Sequence, residues 1–157
     1  MKFINVGKIV NTHGIKGEIR ILSKFRHKDK VFVKGNKLYV GKKKEEFIIN
    51  SYRYHKIFDM VTFEGFTNIN EVLYLKGEFV YVNEEDLILD NNEIYSGKLI
   101  GYNCYVGDKY IGKIEEVLNE PASDVLKVGK VLIPYVKEFI IKIEDNKVYV
   151  KDVRGLI

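Results

Sequence analysis

Alternating apolar and polar residues run through most of the chain and predict short β-strands. The first examples are residues 3–10, 17–22 and 37–40. Gly, Asn and Asp between the runs favour antiparallel barrels over βαβ units, so the expected fold class is all-β with two small antiparallel β-barrels. Further strands are predicted at 47–54, 58–63, 77–82, 102–106, 111–118, 125–128, 131–133 and 147–153.

One segment of the first half departs from this alternation. Residues 67–75 read as a short helix, the one helix expected in the N-terminal domain. Thr67 or Asn68 is positioned to cap it, and Glu71 follows Asn68 at the spacing of a capping box. A glycine at position 77 would end the helix.

Polar and charged residues at 83–86 and 90–93 mark a linker, with the apolar residues 87–89 between them. We therefore expect a first domain at 1–83, a linker at 84–92 and a second domain at 93–157.

The charge differs on the two sides of this linker. Residues 1–83 carry 16 Lys+Arg against 8 Asp+Glu, and residues 84–157 carry 10 against 14. A basic half should attract a phosphate backbone, whereas an acidic half should tolerate a cationic protein surface. The contrast predicts two different partners; the alternative is that these charges only solvate the fold.

Composition excludes several classes of function. The 157 residues are 46% apolar, with one cysteine, Cys104, and three scattered histidines. These residues form neither an intramolecular disulfide nor a zinc site, and no apolar run approaches the length of a membrane span. The first residues lack the pattern of a signal peptide. We expect a cytoplasmic protein without a cofactor, a metal or a membrane partner.

The most distinctive motif covers residues 7–20, where two predicted strands flank a turn. Gly14 and Gly17 in this turn permit a positive φ or a close backbone approach. The alternative is a hairpin in which Thr12 and His13 only satisfy backbone groups. In the functional interpretation, basic side chains line one rim and contact phosphates: Lys8, Lys16 and Arg20.

Two catalytic interpretations of this motif fail. The glycine pair is looser than a phosphate-binding loop, no Lys-Ser/Thr pair follows, and the next element is a strand. His13 as a general base lacks a Ser or Cys nucleophile at a recognisable spacing, and Glu18 has no obvious carboxylate partner. We therefore expect no catalytic residues.

Basic residues alternate with aromatic ones at 24–28 and 52–56. This composition suits stacking on unpaired RNA bases combined with phosphate contacts. For Tyr52 and Tyr54, on one face of a strand, packing in a small core is an equal alternative. The run at 42–44 is expected at a hairpin tip, with RNA contact as an option.

The second half predicts a further hairpin with its turn at Gly107 and Asp108. Residues 120–124 form a loop, and the strand after it stops at Pro134, because proline donates no ladder hydrogen bond.

Taken in order, these blocks resemble the RimM family of ribosome maturation factors. The opening signature of that family is matched by Thr12, His13, Gly14, Gly17 and Glu18. Later blocks resemble the same family at 51–56, 63–66 and 75–77, and its PRC-barrel domain at 99–101, 112–114, 122–126, 132–136 and 155–157.

The resemblance implies a six-stranded, translation-factor-like barrel followed by a PRC barrel, and a monomer without catalysis. It implies binding to the immature small (30S) ribosomal subunit, through 16S rRNA and head ribosomal protein nineteen. The candidate rRNA-binding residues are Lys8, His13, Lys16, Arg20, Arg53 and Lys56. The candidate ribosomal-protein-binding residues are Tyr95, Leu99, Gly101, Pro134 and Tyr135.

This chain departs from the family pattern at two places. The family often has adjacent tyrosines linked to ribosomal-protein binding, and this chain has Ile94 and Tyr95. An Asp-Arg pair usual at the helix entry is Thr67-Asn68 here. A general RNA-binding module is the main alternative, and an enzyme acting on rRNA is a second one.

Overall fold

A computed structural model describes residues 1–152 of the chain. Residues 1–90 form one compact unit, and a second unit begins at Asn91. Strands dominate both units, which confirms the all-β prediction. The predicted end of the last strand at Val153 and the family-like ending at 155–157 lie outside the described residues.

The first unit is a closed barrel of six strands, as expected. Around the barrel their order is β1-β2-β5-β4-β3-β6, and all pairs are antiparallel. Alternate residues such as Ile19, Ile21 and Val61 are fully buried and form its core. The strands are β1 (Phe3–His13), β2 (Glu18–Leu22), β3 (Lys37–Val40), β4 (Glu45–His55), β5 (Phe58–Phe63) and β6 (Phe79–Asn83).

The helical segments of the barrel domain differ from the prediction. A four-residue α-helix, α1 (Lys28–Val31), was not predicted; it buries Val31. The segment predicted as a helix instead forms two 3-10 turns, Ile69–Glu71 and Leu73–Leu75. Its capping box is confirmed, with Asn68 as the N-cap.

The second unit contains two sheets. The smaller has the order β11-β10-β9 and the larger β12-β13-β7-β8. Their strands are β7 (Asn103–Val106), β8 (Lys109–Lys113), β9 (Glu116–Asn119), β10 (Asp124–Val128), β11 (Val131–Pro134), β12 (Ile140–Glu144) and β13 (Lys147–Val150).

This topology corrects three details of the prediction. β13 pairs with β7 in parallel, so the unit is not wholly antiparallel. The strand predicted at 111–118 is split into β8 and β9, with the buried Ile114 between them. The strand β12 was not predicted. The hairpin turn at Gly107 and Asp108 is confirmed, because Val106 pairs with Lys109.

The acidic residues of the predicted linker belong to the first unit. Glu84–Asp86 is a 3-10 turn capped by the side chain of Asn83. Lys2 Nζ lies 3.6 Å from Glu84 Oε2, and Lys30 Nζ lies 2.8 Å from Asp90 Oδ1. Residues 1–90 therefore carry 16 Lys+Arg against 12 Asp+Glu, and the remainder carries 10 against 10. The second unit is neutral, which corrects the expectation of an acidic one.

Candidate functional site

Two loops meet at one end of the first barrel. Residues 14–17 connect β1 to β2, and residues 56–57 connect β4 to β5. The rings of His13 and His55, which immediately precede these loops, have centroids 6.1 Å apart. We call this end the basic patch and define it by His13, Lys16, Arg20, Arg53, His55 and Lys56.

Arg20 is the central cation of the basic patch. Its Nη2 lies within hydrogen-bond distance of Nδ1 of His13, at 2.6 Å. Its Cζ lies 5.5 Å from the ring centroid of Phe58. The buried Nε of Arg20 has no hydrogen-bond partner among the described residues. No carboxylate of residues 1–152 contacts this guanidinium, so it suits an anionic ligand.

Arg53, in contrast, has a carboxylate partner. Its Nε and Nη2 donate to the two carboxylate oxygens of Glu18, at 2.9 and 2.7 Å. The hydrogen bond from Arg53 holds the pKa of Glu18 below its ordinary value, against the opposing effect of burial, and the charges of Arg53, His13 and His55 lower it further. The Arg53 side chain remains 48% exposed, so it borders the patch as part of an ion pair.

His55 is electrostatically coupled to the same cations. Partial burial lowers its pKa, and the charges of Arg53, Lys56, His13 and Arg20 lower it further. Proton uptake by His55 is therefore opposed until an anion arrives, because a phosphate would stabilise the protonated ring.

The glycine turn fits the structure for two reasons. Gly14 and Gly17 have φ values of +72° and +88°, which favour glycine. A Cβ on Gly17 would also lie 3.3 Å from the backbone N and O of Asn68. Ile15 O accepts a hydrogen bond from Ile69 N. The signature thus fixes the β1–β2 loop against the capped turn, and leaves Lys16 exposed.

Lys8 does not join the basic patch. It lies five residues before His13 on β1, about 17 Å along an extended strand. Its Nζ is 5.6 Å from the ring centroid of Phe79 on β6.

The sequence allowed Tyr52 and Tyr54 of β4 either to stack on RNA bases or to pack in the core, and the two residues differ. Tyr52 OH donates to Oδ1 of the fully buried Asp59 at 2.7 Å, and its ring stacks on Phe32. Asp59 Oδ2 meets Lys28 Nζ at 2.9 Å as an ion pair rather than as a well-aligned hydrogen bond. Tyr52 is thus structural. Tyr54 is 59% exposed.

In the second unit, two hydrogen bonds hold the segment around Tyr95. Tyr135 OH donates to the carbonyl of Ile94 at 2.6 Å, and Ser96 Oγ donates to Oδ2 of Asp124 at 2.8 Å. A Cβ on Gly97 would lie 2.5 Å from the Tyr95 ring, so that ring lies directly over the glycine. The two predicted segments, Tyr95 and 134–135, are thereby linked.

The structure shows how three residues near Tyr95 in sequence or in space are placed: Ile94, Tyr135 and Pro134. Ile94, in place of the family's first tyrosine, packs against the hydrophobic core. Burial raises the pKa of Tyr135 to about 12, and the charge of Glu93 contributes to this. Pro134 ends β11, an edge strand, as expected.

Two of the predicted protein-binding residues serve the fold. Leu99 is 0% exposed and lies in the core, so the expectation that its side chain contacts a partner is corrected. The 3-10 turn Ser96–Leu99 directs it inward, beside residues such as Cys104. Gly101 has a φ of +91° and donates its N–H to Ile114 O. This positive φ explains why position 101 is a glycine.

Sequence reasoning missed Phe58 and Asp59 as parts of these sites. Phe58 could have been found from its hairpin pairing with His55. Among residues 1–152, no cluster of metal-ligating side chains occurs, and no helix has the length and apolar character of a membrane span.

The fold and the basic patch define a two-unit β-protein with a surface suited to a polyanion. The RimM N-terminal domain model matches residues 4–87, and the RimM PRC barrel domain model matches residues 97–155. The chain belongs to the RimM family.

Curated relatives agree with this assignment. "Ribosome maturation factor RimM" of Bacillus thuringiensis (strain Al Hakam) is 40% identical over 169 aligned positions, which cover 99% of both chains. The protein of that name from Geobacillus kaustophilus (strain HTA426) is 36% identical and covers 99% of this chain and 97% of its own. A crystal structure of a Pseudomonas aeruginosa 16S ribosomal RNA processing protein RimM has 19% identity and a TM-score of 0.49, with 96% and 97% coverage.

Proposed function

We propose that this chain is a ribosome maturation factor that binds the immature small ribosomal subunit in the cytoplasm and assists head assembly and 16S rRNA processing. The basic patch is the observation that carries this proposal. The guanidinium of Arg20 and the exposed lysines of the two loops would contact rRNA phosphates. Tyr54 is exposed beside the same hairpin and would stack on an unpaired base.

The second unit would bind a basic partner, head ribosomal protein nineteen. Tyr95 supports this assignment, because a tyrosine held in place by neighbouring hydrogen bonds loses little entropy on binding. Glu93 beside it supplies a negative charge that complements a basic protein. The support is local, since the unit as a whole is neutral.

The proposed mechanism is selection of one conformation of the immature head. A binding protein shifts such an equilibrium only through its different affinities for the two states. The factor would therefore leave when the mature subunit no longer presents the combined RNA and protein surface. This mechanism makes and breaks no covalent bond.

A matched pair of charge reversals tests the RNA contact. Lys16→Glu with Lys56→Glu changes the loops of the basic patch, whereas Lys42→Glu with Lys43→Glu changes the loop at the other end of β4, about 35 Å away along that strand. We expect the first pair to weaken binding to a head rRNA fragment about tenfold or more and to lower the salt dependence, with the control pair close to wild type.

The same proteins separate this proposal from the alternative of a general RNA-binding module. Lys16→Glu with Lys56→Glu should retain binding to ribosomal protein nineteen, and Tyr95→Ala should lose it while keeping RNA binding. Loss of both activities in one folded variant would contradict the division of roles. Equal affinity of the wild type for unrelated RNAs, without protein binding, would support the alternative.

A further inference from the structure

The outer face of the four-stranded sheet carries a row of tyrosines that the proposed function does not use. Tyr149 on β13, Tyr105 on β7 and Tyr110 on β8 are cross-strand partners. Neighbouring ring centroids are 5.3 Å apart in both pairs; Tyr105 and Tyr149 are stacked, and Tyr105 and Tyr110 are tilted by 57°. The opposite face, with Cys104 and Val148, forms the core.

This row is closed at one end and open at the other. Lys142 on β12 covers Tyr149, with its Nζ 4.9 Å from the ring centroid. At the other end, β8 is the edge strand of the sheet, and Tyr110 is 50% exposed. The Tyr110 hydroxyl donates to Oδ1 of Asn103 at 3.3 Å, which orients the ring. One further flat ring can therefore pack against the exposed ring of Tyr110.

Lysines lie beside the tyrosine row on the same face. Asn103 pairs with Lys113 on β8 and with Lys147 on β13, which forms a second row next to the tyrosines. Glu144, opposite Lys147, makes an ion pair with Lys142 at 3.0 Å. Lys113 and Lys147 thus leave this face with a net positive charge, although the unit is neutral overall. The combination complements a ligand with flat rings and a negatively charged backbone.

We propose that this face binds single-stranded RNA, with one base stacked on Tyr110 and the adjoining phosphates held by Lys113 and Lys147. Proteins that bind single strands combine aromatic side chains with a basic surface in this way. A duplex should not bind at this face, because its bases already stack on one another and are not available to Tyr110. The site belongs to the second unit and is independent of the basic patch.

Photocrosslinking of the full chain to a short iodouridine-substituted single strand tests the proposal. We expect crosslinks at Tyr110, competed by an unlabelled single strand and not by a duplex of equal length. Lys113→Glu with Lys147→Glu should reduce the Tyr110 crosslink about fivefold or more, because two phosphate contacts are lost. The matched control, Lys130→Glu with Lys137→Glu, reverses two exposed lysines in the loops before and after β11, outside the strands that carry the row, and should leave the yield unchanged.

A binding measurement completes the test. In a chain carrying Lys16→Glu and Lys56→Glu, Tyr110→Leu should weaken binding to the same single strand about fivefold or more. Tyr74→Leu removes a comparably exposed tyrosine from the first unit and should have no effect.

Three results would overturn the proposal. Crosslinks confined to the first unit would do so, as would an unchanged Tyr110 yield in the Lys113 and Lys147 variant. A Tyr110→Leu chain that keeps RNA binding but loses ribosomal protein nineteen would identify the face as a protein surface instead. If Tyr110→Leu does not fold, the lysine reversals decide the question, since they leave the tyrosine row intact.

Discussion

Replacing Glu18 by Gln should strengthen RNA binding, because this carboxylate neutralises a cation of the basic patch. The Glu18 side chain is 17% exposed and accepts hydrogen bonds from Nε and Nη2 of Arg53. The substitution keeps the size of the side chain and one acceptor oxygen, and it removes the charge. Arg53 then becomes available to a phosphate at the edge of the patch.

The expected magnitude follows from counterion release. One additional phosphate contact on a single strand steepens the dependence of log K on log salt by about 0.7. Raising the salt concentration fourfold should therefore weaken the variant about 2.6-fold more than the wild type. The assay is a salt titration of binding to a head rRNA fragment, followed by fluorescence anisotropy.

The matched control is Glu46→Gln, which makes the same change of net charge near the other end of β4. Glu46 is exposed and lies 3.8 Å from Lys37 in a weaker ion pair. Glu46→Gln should leave the dependence of log K on log salt unchanged. If Glu18→Gln binds RNA no more tightly than wild type, or if Glu46→Gln has the same effect, the assignment of Arg53 to the RNA surface is refuted.

Three other predictions concern stability, pH and reactivity. Tyr52→Phe removes a hydrogen bond to the buried Asp59 and should lower the free energy of unfolding of the first unit by about 1–2 kcal/mol in a urea titration, whereas Tyr54→Phe should change it little. Because the pKa of His55 is lowered in the free protein and an anion favours its protonated form, RNA affinity should rise as pH falls below 6.5; a pH profile unchanged in His55→Gln would contradict this. Burial raises the pKa of Cys104 to about 11, so a thiol reagent should label it only after the second unit unfolds; rapid labelling of the native protein would show that its core is open.

Features encoded by neighbouring residues were predictable from the sequence. The capping box at Asn68 and Glu71 and the turn at Gly107 were found because each depends on a few consecutive residues. The helix expected after Asn68 was shortened to 3-10 turns. The N–H of Ile69, which would have no partner within a helix, bonds to Ile15 O, a contact between segments distant in sequence that the local pattern did not predict.

Features set by strand order were not predictable in the same way. The parallel pairing of β7 with β13 joins strands separated by five others in the chain. The charge contrast depended on where the chain was cut. The acids at 84–90 lie next to the second domain in the sequence, but Glu84 and Asp90 form ion pairs with lysines of the first unit.

In the candidate site, too, contacts within one hairpin were predictable and contacts set by strand order were not. The glycine turn placed His13 close to Arg20 through a single hairpin, so that pair was accessible to sequence reasoning. The pairing of Arg53 with Glu18 was not, because β5 lies between β2 and β4 in the barrel. Leu99 was assigned to a surface from the family pattern alone, and its burial follows from a turn that the strand pattern did not predict.

The central claim is that this member of the RimM family recognises an incomplete small subunit. Sedimentation of the purified chain with immature small-subunit particles, and separately with mature ribosomes, tests it most directly. We expect the chain to migrate with the immature particles and not with mature ribosomes. Equal migration with both, or with neither, would contradict it.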